Sequence, residues 1–400
     1  MKKMMIAAGT WLILLTACAG QDAGRDGLAS CAEGSCKHGR VCDDGVCLDP
    51  EDAGTNPQDA SDRPGDAGNN DNEDEAFVGR DGDERGDSAN GEETGEPDDT
   101  GRADVVDPDV SAYSPARYEE DVRFIAQPRP PGSAHNLAVR EYCAAELQKA
   151  GFDVEVFEYG PGTNVIGTLE GSDSDAPTVV VGAHFDSVRS CDSANDNATG
   201  VAAVLEAARV LGTQRHAGTL IMACWDEEER GKLGSNSHAF RLRGVADYVI
   251  VMDMIGYTDH RPFTQRVPAG FEELFPQLAQ ELADRDYRAD FAIATANHEA
   301  GPAALALERA GETQGIRIAP LVLEPGVDVS GEVEQLRRSD HASFWDVNIP
   351  ALLLTDTGNY RGSYYHCGRT EDSVDILDFQ FAAQMTRAVI GASAALLRAQ

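Results

Sequence analysis

Residues 177–200 read PTVVVGAHFDSVRSCDSANDNATG, and the fold follows from the way this stretch is assembled. Val179, Val180 and Val181 form a short β-branched run, the composition of a buried strand. Its C-terminal end delivers His184 and, two residues on, Asp186. Asp196 follows in a polar segment, and Thr199-Gly200 then opens an apolar-periodic helix. Val201, Val204, Leu205, Ala208 and Leu211 share one face of that helix, which Gly212 ends. A strand end carrying His-x-Asp, followed by Asp at a helix start, is half of a metal-binding pattern.

Three later runs repeat it. Residues 219–225 (TLIMACW) lead into Asp226-Glu227-Glu228-Glu229, and residues 248–252 (YVIVM) lead into Asp253. Residues 349–354 (IPALLL) lead into Thr355-Asp356, with His366 ten residues beyond. A single acid or imidazole at a strand end is ordinarily a cap or a solvated group. Four such ends together point to one crevice, because open α/β sheets bind ligands outside the carboxyl ends of their strands. Around these runs, residues 136–150 have helical spacing and stop at Gly151, a C′ glycine, while 152–159 and 164–169 read as strands. The fold class expected is therefore α/β: a single domain with a central mixed, largely parallel β-sheet flanked by helices on both faces, after a disordered acidic N-terminal region. Within 257–335 only helices near 271–283 and 303–310 are legible, and no internal repeat recurs at a fixed period.

The chain has 400 residues and a formal net charge of −36. Residues 49–109 hold 22 Asp and Glu against 4 Arg, about half of that charge. Poor in aromatic and branched aliphatic residues, this segment cannot offset chain entropy by burial and reads as a disordered acidic linker over 49–110, extended by self-repulsion. So acidic a chain would repel phosphate, which argues against nucleic-acid binding. At the amino terminus, Lys2 and Lys3 precede an apolar stretch over 7–16 that is too short to span a bilayer as a mature helix. Leu15-Thr16-Ala17-Cys18 resembles a bacterial lipoprotein signal: residues 1–17 would be removed and Cys18 lipidated, anchoring the chain to a membrane. The expected location is the cell envelope, on the outer membrane or cell surface. Cys31, Cys36, Cys42 and Cys47 within 18–48 read as a disulfide framework in such an exported chain. From 111 to 400 the composition is globular and long enough for one large domain.

Six motifs in order give that domain a family resemblance. After the lead-in Arg129-Pro130-Pro131-Gly132-Ser133 come Gly182-Ala183-His184-Phe185-Asp186-Ser187 and Asn195-Asp196-Asn197-Ala198-Thr199-Gly200. Glu228-Glu229-Arg230-Gly231-Lys232-Leu233-Gly234-Ser235, Asp253-Met254-Ile255-Gly256, Ser339-Asp340-His341 with Phe344, and Tyr365-His366 complete the series. Residues 114–397 thus resemble the secreted bacterial zinc aminopeptidases with two co-catalytic zincs, a superfamily that also contains glutaminyl cyclases. The resemblance implies two Zn2+ per chain. His184 and Asp253 would hold one, Glu229 and His366 the other, and Asp196 would bridge them. Asp186 would fix the tautomer of His184, and Glu228 would be the catalytic acid/base. Tyr365 matches a position where some relatives place a phenol on the tetrahedral intermediate. His341 is expected as support rather than ligand. The turn after His366 departs from the family pattern, being about two residues longer. Cys191 and Cys367 would both border the cleft, which leaves a disulfide between them open, whereas Cys143 and Cys224 read as inert core thiols.

The function implied is a zinc-dependent metallopeptidase, most specifically an aminopeptidase hydrolysing N-terminal residues of peptides, with 111–400 its catalytic domain and acting as a monomer. Two alternatives compete: a glutaminyl cyclase-like acyltransferase on the same fold, and a catalytically inactive surface binding protein. The presence of every expected ligand and of the base disfavours the last. If Cys18 carries the anchor, Cys18→Ser should move the mature protein from membrane to soluble fractions with its activity unchanged; retention in the membrane would refute the lipoprotein reading.

Overall fold

The computed structural model describes residues 110–398 apart from 329–330, together with the backbone of a short hairpin. In the hairpin β1 (Val41–Asp43) pairs antiparallel with β2 (Val46–Leu48), and Cys42 faces Cys47 in register. The expected signal segment, the rest of the cysteine-rich segment and nearly all of the acidic linker lie outside the described residues.

The globular body begins with two capped helices. Ser114 caps α1 (Pro115–Ile125), whose first residue is a proline, and Ser133 caps α2 (Ala134–Lys149) by accepting from the Asn136 N–H. Gly151 then takes a φ of 95°, the left-handed conformation that ends a helix. The chain continues through β3 (Asp153–Glu158), β4 (Thr163–Leu169), β5 (Val179–His184), α3 (Thr199–Leu211), β6 (Leu220–Trp225), α4 (Leu233–Arg241) and β7 (Tyr248–Met252). There follow α5 (Phe271–Leu274), α6 (Pro276–Asp284), β8 (Ala292–Ala296), α7 (Gly301–Thr313) and β9 (Ile318–Val322). Last come α8 (His341–Trp345), β10 (Ala351–Thr355) and α9 (Phe379–Leu396).

Eight strands form one sheet in the order β3-β4-β6-β5-β7-β10-β8-β9. The four central strands β6, β5, β7 and β10 are mutually parallel, while β3, β4 and β8 introduce antiparallel pairs. All four acid-terminated runs are these central strands, so their carboxyl ends emerge along one edge. Every residue of β5 and β6 is buried, which is why their sequences are unbroken apolar runs instead of alternating ones. One face carries a core built with α1, α2, α3, α7 and α9, through Val122, Val139, Leu205, Leu307 and Met385. The other carries a second core with α4, α5, α6 and α8, through Ala239, Phe271, Leu282 and Phe344. Gly182 sits where the Trp225 ring of β6 crosses β5; a Cβ there would lie 2.2 Å from the indole.

The predicted helix over 271–283 is two helices. Pro276 starts α6, and the residue before a proline is driven out of the helical region, as Phe275 shows at φ −132°, ψ 58°. Of the strands missed in the poorly legible region, β8 (AIATA) is alanine-rich and β9 (IAPLV) contains a proline. Pro320 is tolerated because β9 is an edge strand.

Packing also fixes a titratable group in its neutral form. His238 of α4 is buried and accepts the Trp225 Nε1–H at Nδ1, 3.1 Å away, so a proton there would oppose another donor. Burial lowers its pKa to about 3. A histidine free to protonate in the unfolded chain but not in the folded one favours unfolding as pH falls. The native state should therefore lose stability as pH drops from about 6.5 towards 3. In urea melts across that range, His238→Asn should show a shallower acid dependence than wild type; parallel profiles would refute the assignment.

Candidate active site

The strand ends deliver two overlapping groups of ligand-type side chains. His184, Asp196 and Asp253 bring one donor atom each to within 4.8 Å of one another, and so do Asp196, Glu229 and His366. His184 Nε2 lies 3.4 Å from Asp196 Oδ1 and 3.6 Å from Asp253 Oδ1. His366 Nε2 lies 3.5 Å from Asp196 Oδ2 and 3.3 Å from Glu229 Oε2. Asp196 thus presents one carboxylate oxygen to each group. His184 ends β5 and Asp253 follows β7 directly, whereas Asp196 and His366 come from loops.

The donor set fits metal ions. Three carboxylates and two imidazoles meet here, and His184 Nε2, Glu229 Oε1 and Asp253 Oδ1 are buried without a hydrogen-bond partner. Burial, reinforced by Asp196 and Glu228, pushes the Glu229 carboxyl well above the usual range. Dications of the zinc type would satisfy these orphaned atoms, and mixed imidazole and carboxylate donors suit zinc.

The four consecutive acids after β6 have four separate environments. Asp226 accepts from Asn136 Nδ2 at 3.0 Å, tying β6 to α2. Glu227 turns left-handed at φ 60° and buries its side chain beside Arg230, 3.1 Å away, and the Tyr159 hydroxyl. Glu229 joins the second ligand group, while Glu228 belongs to neither and lines the adjoining cavity. Burial raises the Glu228 carboxyl well above the usual range.

Behind the ligands lies a layer that motif reading only partly anticipates. Asp186 was expected to accept from His184, but its Oδ1 lies 3.4 Å from Nδ1, which makes no hydrogen bond. Its oxygens accept instead from the backbone N–H groups of Glu228 (3.0 Å) and Glu229 (3.2 Å), fixing both glutamates. Asp372 accepts from the N–H groups of Asn195 and Asp196 at 2.8 and 2.9 Å. Buried Arg129 donates to the carbonyls of Phe185, Asp192 and Ser193 at 2.8–2.9 Å, and its N–H to Ser187 Oγ. Arg129 lies within a quoted motif and Asp372 in the longer turn after His366, but nothing in their spacing announces these partners. Asp356 is no ligand; it accepts from Asn195 Nδ2 and braces the same loop.

His341 stays outside both groups, bonded to the Leu336 carbonyl and edge-on to Trp345. Asp340 is buried with neither oxygen partnered. Tyr365 stacks on His366 with ring centres 3.8 Å apart, and its hydroxyl accepts from Arg338. Cys191 and Cys367 form a disulfide, while Cys143 and Cys224 are buried free thiols. Beside the ligands opens a half-open cavity. Met254, Phe271, Phe291, Leu321 and Leu353 furnish apolar lining, and Asp196, Glu228, Asp253, Tyr365 and His366 also border it.

Residues 164–301 match Peptidase family M28. An Escherichia coli (strain K12) relative, described as uncharacterized protein YfbL, is 29% identical over 305 residues, 69% of this chain and 87% of that one. A probable zinc metalloprotease of Pyrenophora tritici-repentis is 26% identical over 292 residues, 62% of this chain and 58% of the relative. Among solved structures, the aminopeptidase from Aneurinibacillus sp. strain AM-1 is similar in fold, with a TM-score of 0.53 at 15% identity, covering 71% of this chain and 94% of that one.

The bracing of Asp196 can be tested by itself. Asp372→Ala leaves two buried N–H groups unpaired, each worth on the order of 1–3 kcal/mol. Denaturant unfolding should show a loss of that order; an unchanged midpoint would mean water or a neighbour replaces the carboxylate.

Proposed function

We propose that this chain, with its Peptidase family M28 core over residues 164–301, is a two-zinc aminopeptidase that removes N-terminal residues from peptides. The observation that carries the reading is the pair of ligand groups sharing Asp196, with Glu228 left outside both and facing the cavity. His184 and Asp253 would hold one zinc and Glu229 and His366 the other, with Asp196 common to both. When bound, such a pair supplies Lewis acidity at a substrate carbonyl and a nucleophilic water at neutral pH.

The chain's own groups do the rest. Glu228 takes a proton from the attacking water and passes it to the departing amine. Burial raises its carboxyl above the usual range, which makes it a stronger proton acceptor than an exposed glutamate. Tyr365, whose hydroxyl accepts from Arg338, borders the cavity and would donate to the carbonyl oxygen as it gains charge. The apolar cavity wall suits a large apolar side chain on the residue removed. A disulfide at the cleft supports the exported setting expected from the sequence, since such bonds persist in oxidising compartments.

Two neighbouring glutamates separate the proposed roles. Glu229→Gln replaces an anionic donor with a neutral amide and should lower both metal content and stability. Glu228→Gln should keep both zincs and bind substrate, yet lose on the order of a hundredfold or more in kcat with KM little changed. Metal analysis and kinetics on aminoacyl-arylamides decide it. Loss of zinc in Glu228→Gln with retention in Glu229→Gln would reverse the assignment, and a single zinc in wild type would favour the cyclase alternative.

A further inference from the structure

We infer that the Cys191–Cys367 disulfide is a positioning element for the Asp196–Glu229–His366 group, so that its reduction weakens metal binding there and spares the His184–Asp196–Asp253 group. This rests on the two-metal reading above. The two groups are held by different means. In the first, His184 and Asp253 project from strands paired in the middle of the sheet, with β5 hydrogen-bonded to β6 and β7. The second depends on His366, which lies in a short 3-10 turn (Tyr365–Cys367) outside the sheet.

Other anchors secure the remaining members of that second group. Glu229 is fixed through its N–H by Asp186. Asp196 is fixed by Asp372, whose carbonyl also accepts the Ala194 N–H at 3.0 Å. These bonds do not pass through the disulfide. His366 differs: both it and Cys367 adopt left-handed backbone conformations, at φ 52° and 55°. Neither is a glycine, and such conformations persist only where the surroundings impose them. The covalent tie lies at Cys367 itself, to Cys191, one residue before the Asp192-Ser193 carbonyls that Arg129 clamps. The bond spans 176 residues of sequence and adds a covalent tie, at the residue next to His366, to the hydrogen bonds that Asp372 and Tyr364 make with residues 194–196.

Cys191 is buried and Cys367 is half-buried, so a small dithiol reaches the bond from the Cys367 side. In the reduction the S–S bond breaks, the dithiol gives up two electrons and two protons, thiols form on Cys191 and Cys367, and the dithiol closes to its own disulfide.

The test titrates zinc-free protein with zinc against a chelating indicator in three forms: oxidised wild type, wild type reduced by a dithiol that is then removed under anaerobic conditions, and Cys191→Ser/Cys367→Ser. The serine variant, titrated without reduction, excludes zinc capture by freed thiols; if it fails to fold, the reduced wild type carries the test, with reduced Glu229→Gln alongside to count any zinc taken by thiols freed elsewhere in the chain. Oxidised wild type should take up two equivalents. The other forms should keep one with unchanged affinity and bind the second about 10- to 100-fold more weakly, the cost usual for losing a support behind a metal ligand. In Glu229→Gln, where the second equivalent is already impaired, reduction should leave the remaining one unaltered. Two equally tight equivalents in every form, or equal weakening of both, would overturn the disulfide's role alone. Fewer than two equivalents in oxidised wild type would overturn the two-metal reading, and this inference with it.

Discussion

Three carboxylates aimed at one small volume repel each other, and the architecture around the site is organised by that repulsion. Asp196, Asp253 and Glu229 converge with two imidazoles at the edge of the sheet. At separations near 4 Å like charges cost several kcal/mol in a partly dry site. The side chains cannot hold this arrangement among themselves, so the backbone beneath them has to be fixed first. Asp186 and Asp372 do so by accepting main-chain N–H groups on either side of the ligands, and Arg129 does so by donating to main-chain carbonyls. Arg129 also places a buried positive charge near Asp196, Asp186, Asp372 and Glu229, easing the same repulsion from behind.

The run Asp226 to Glu229 shows how one acidic string is divided among unlike tasks. The left-handed turn at Glu227 breaks the strand geometry, so the next two side chains no longer alternate across a sheet. Glu227 spends its charge on Arg230, while the carbonyl of Glu228 receives the N–H groups of Gly231 and Lys232, both at 2.8 Å. Gly231 takes a φ of 99°, a value suited to glycine, and closes that turn. The turn that Gly231 closes thus follows directly on the two glutamates, whose side chains go to different places.

What was legible in the sequence and what was not have separate physical causes. The four central strands were readable because a strand buried on both faces must be apolar throughout, and the acids at their ends interrupt that pattern abruptly. Asp186 was noticed for its spacing from His184, yet its partners are main-chain groups of another strand end, which no side-chain pattern records. Asp372 lay in a turn of irregular length, and its bonds to Asn195 and Asp196 cross more than 170 residues. The disulfide was left open because pairing depends on how two loops approach, and spacing does not encode that. In β8 and β9, alanine and proline gave no strand signal, since neighbours in the sheet supply what local propensity lacks.

That division has a consequence for how the site is built. The candidate ligands and Glu228 come from the end of β5 and from the segments that follow β5, β6, β7 and β10, while much of the cavity wall comes from α5, α6, β8 and β9. Phe271, Leu282, Phe291 and Leu321 line the cavity as packing side chains and belong to neither ligand group. Changing their size reshapes the space beside the reacting centre without moving a ligand, because no hydrogen bond behind the ligands runs through their side chains. Met254 and Leu353 are different. Met254 adjoins Asp253, Leu353 lies in β10 opposite Val251 of β7, and both line the cavity. A substitution at either position reaches the backbone that aims Asp253. The outer wall can therefore change shape independently, while the inner wall is constrained by the ligand groups it adjoins.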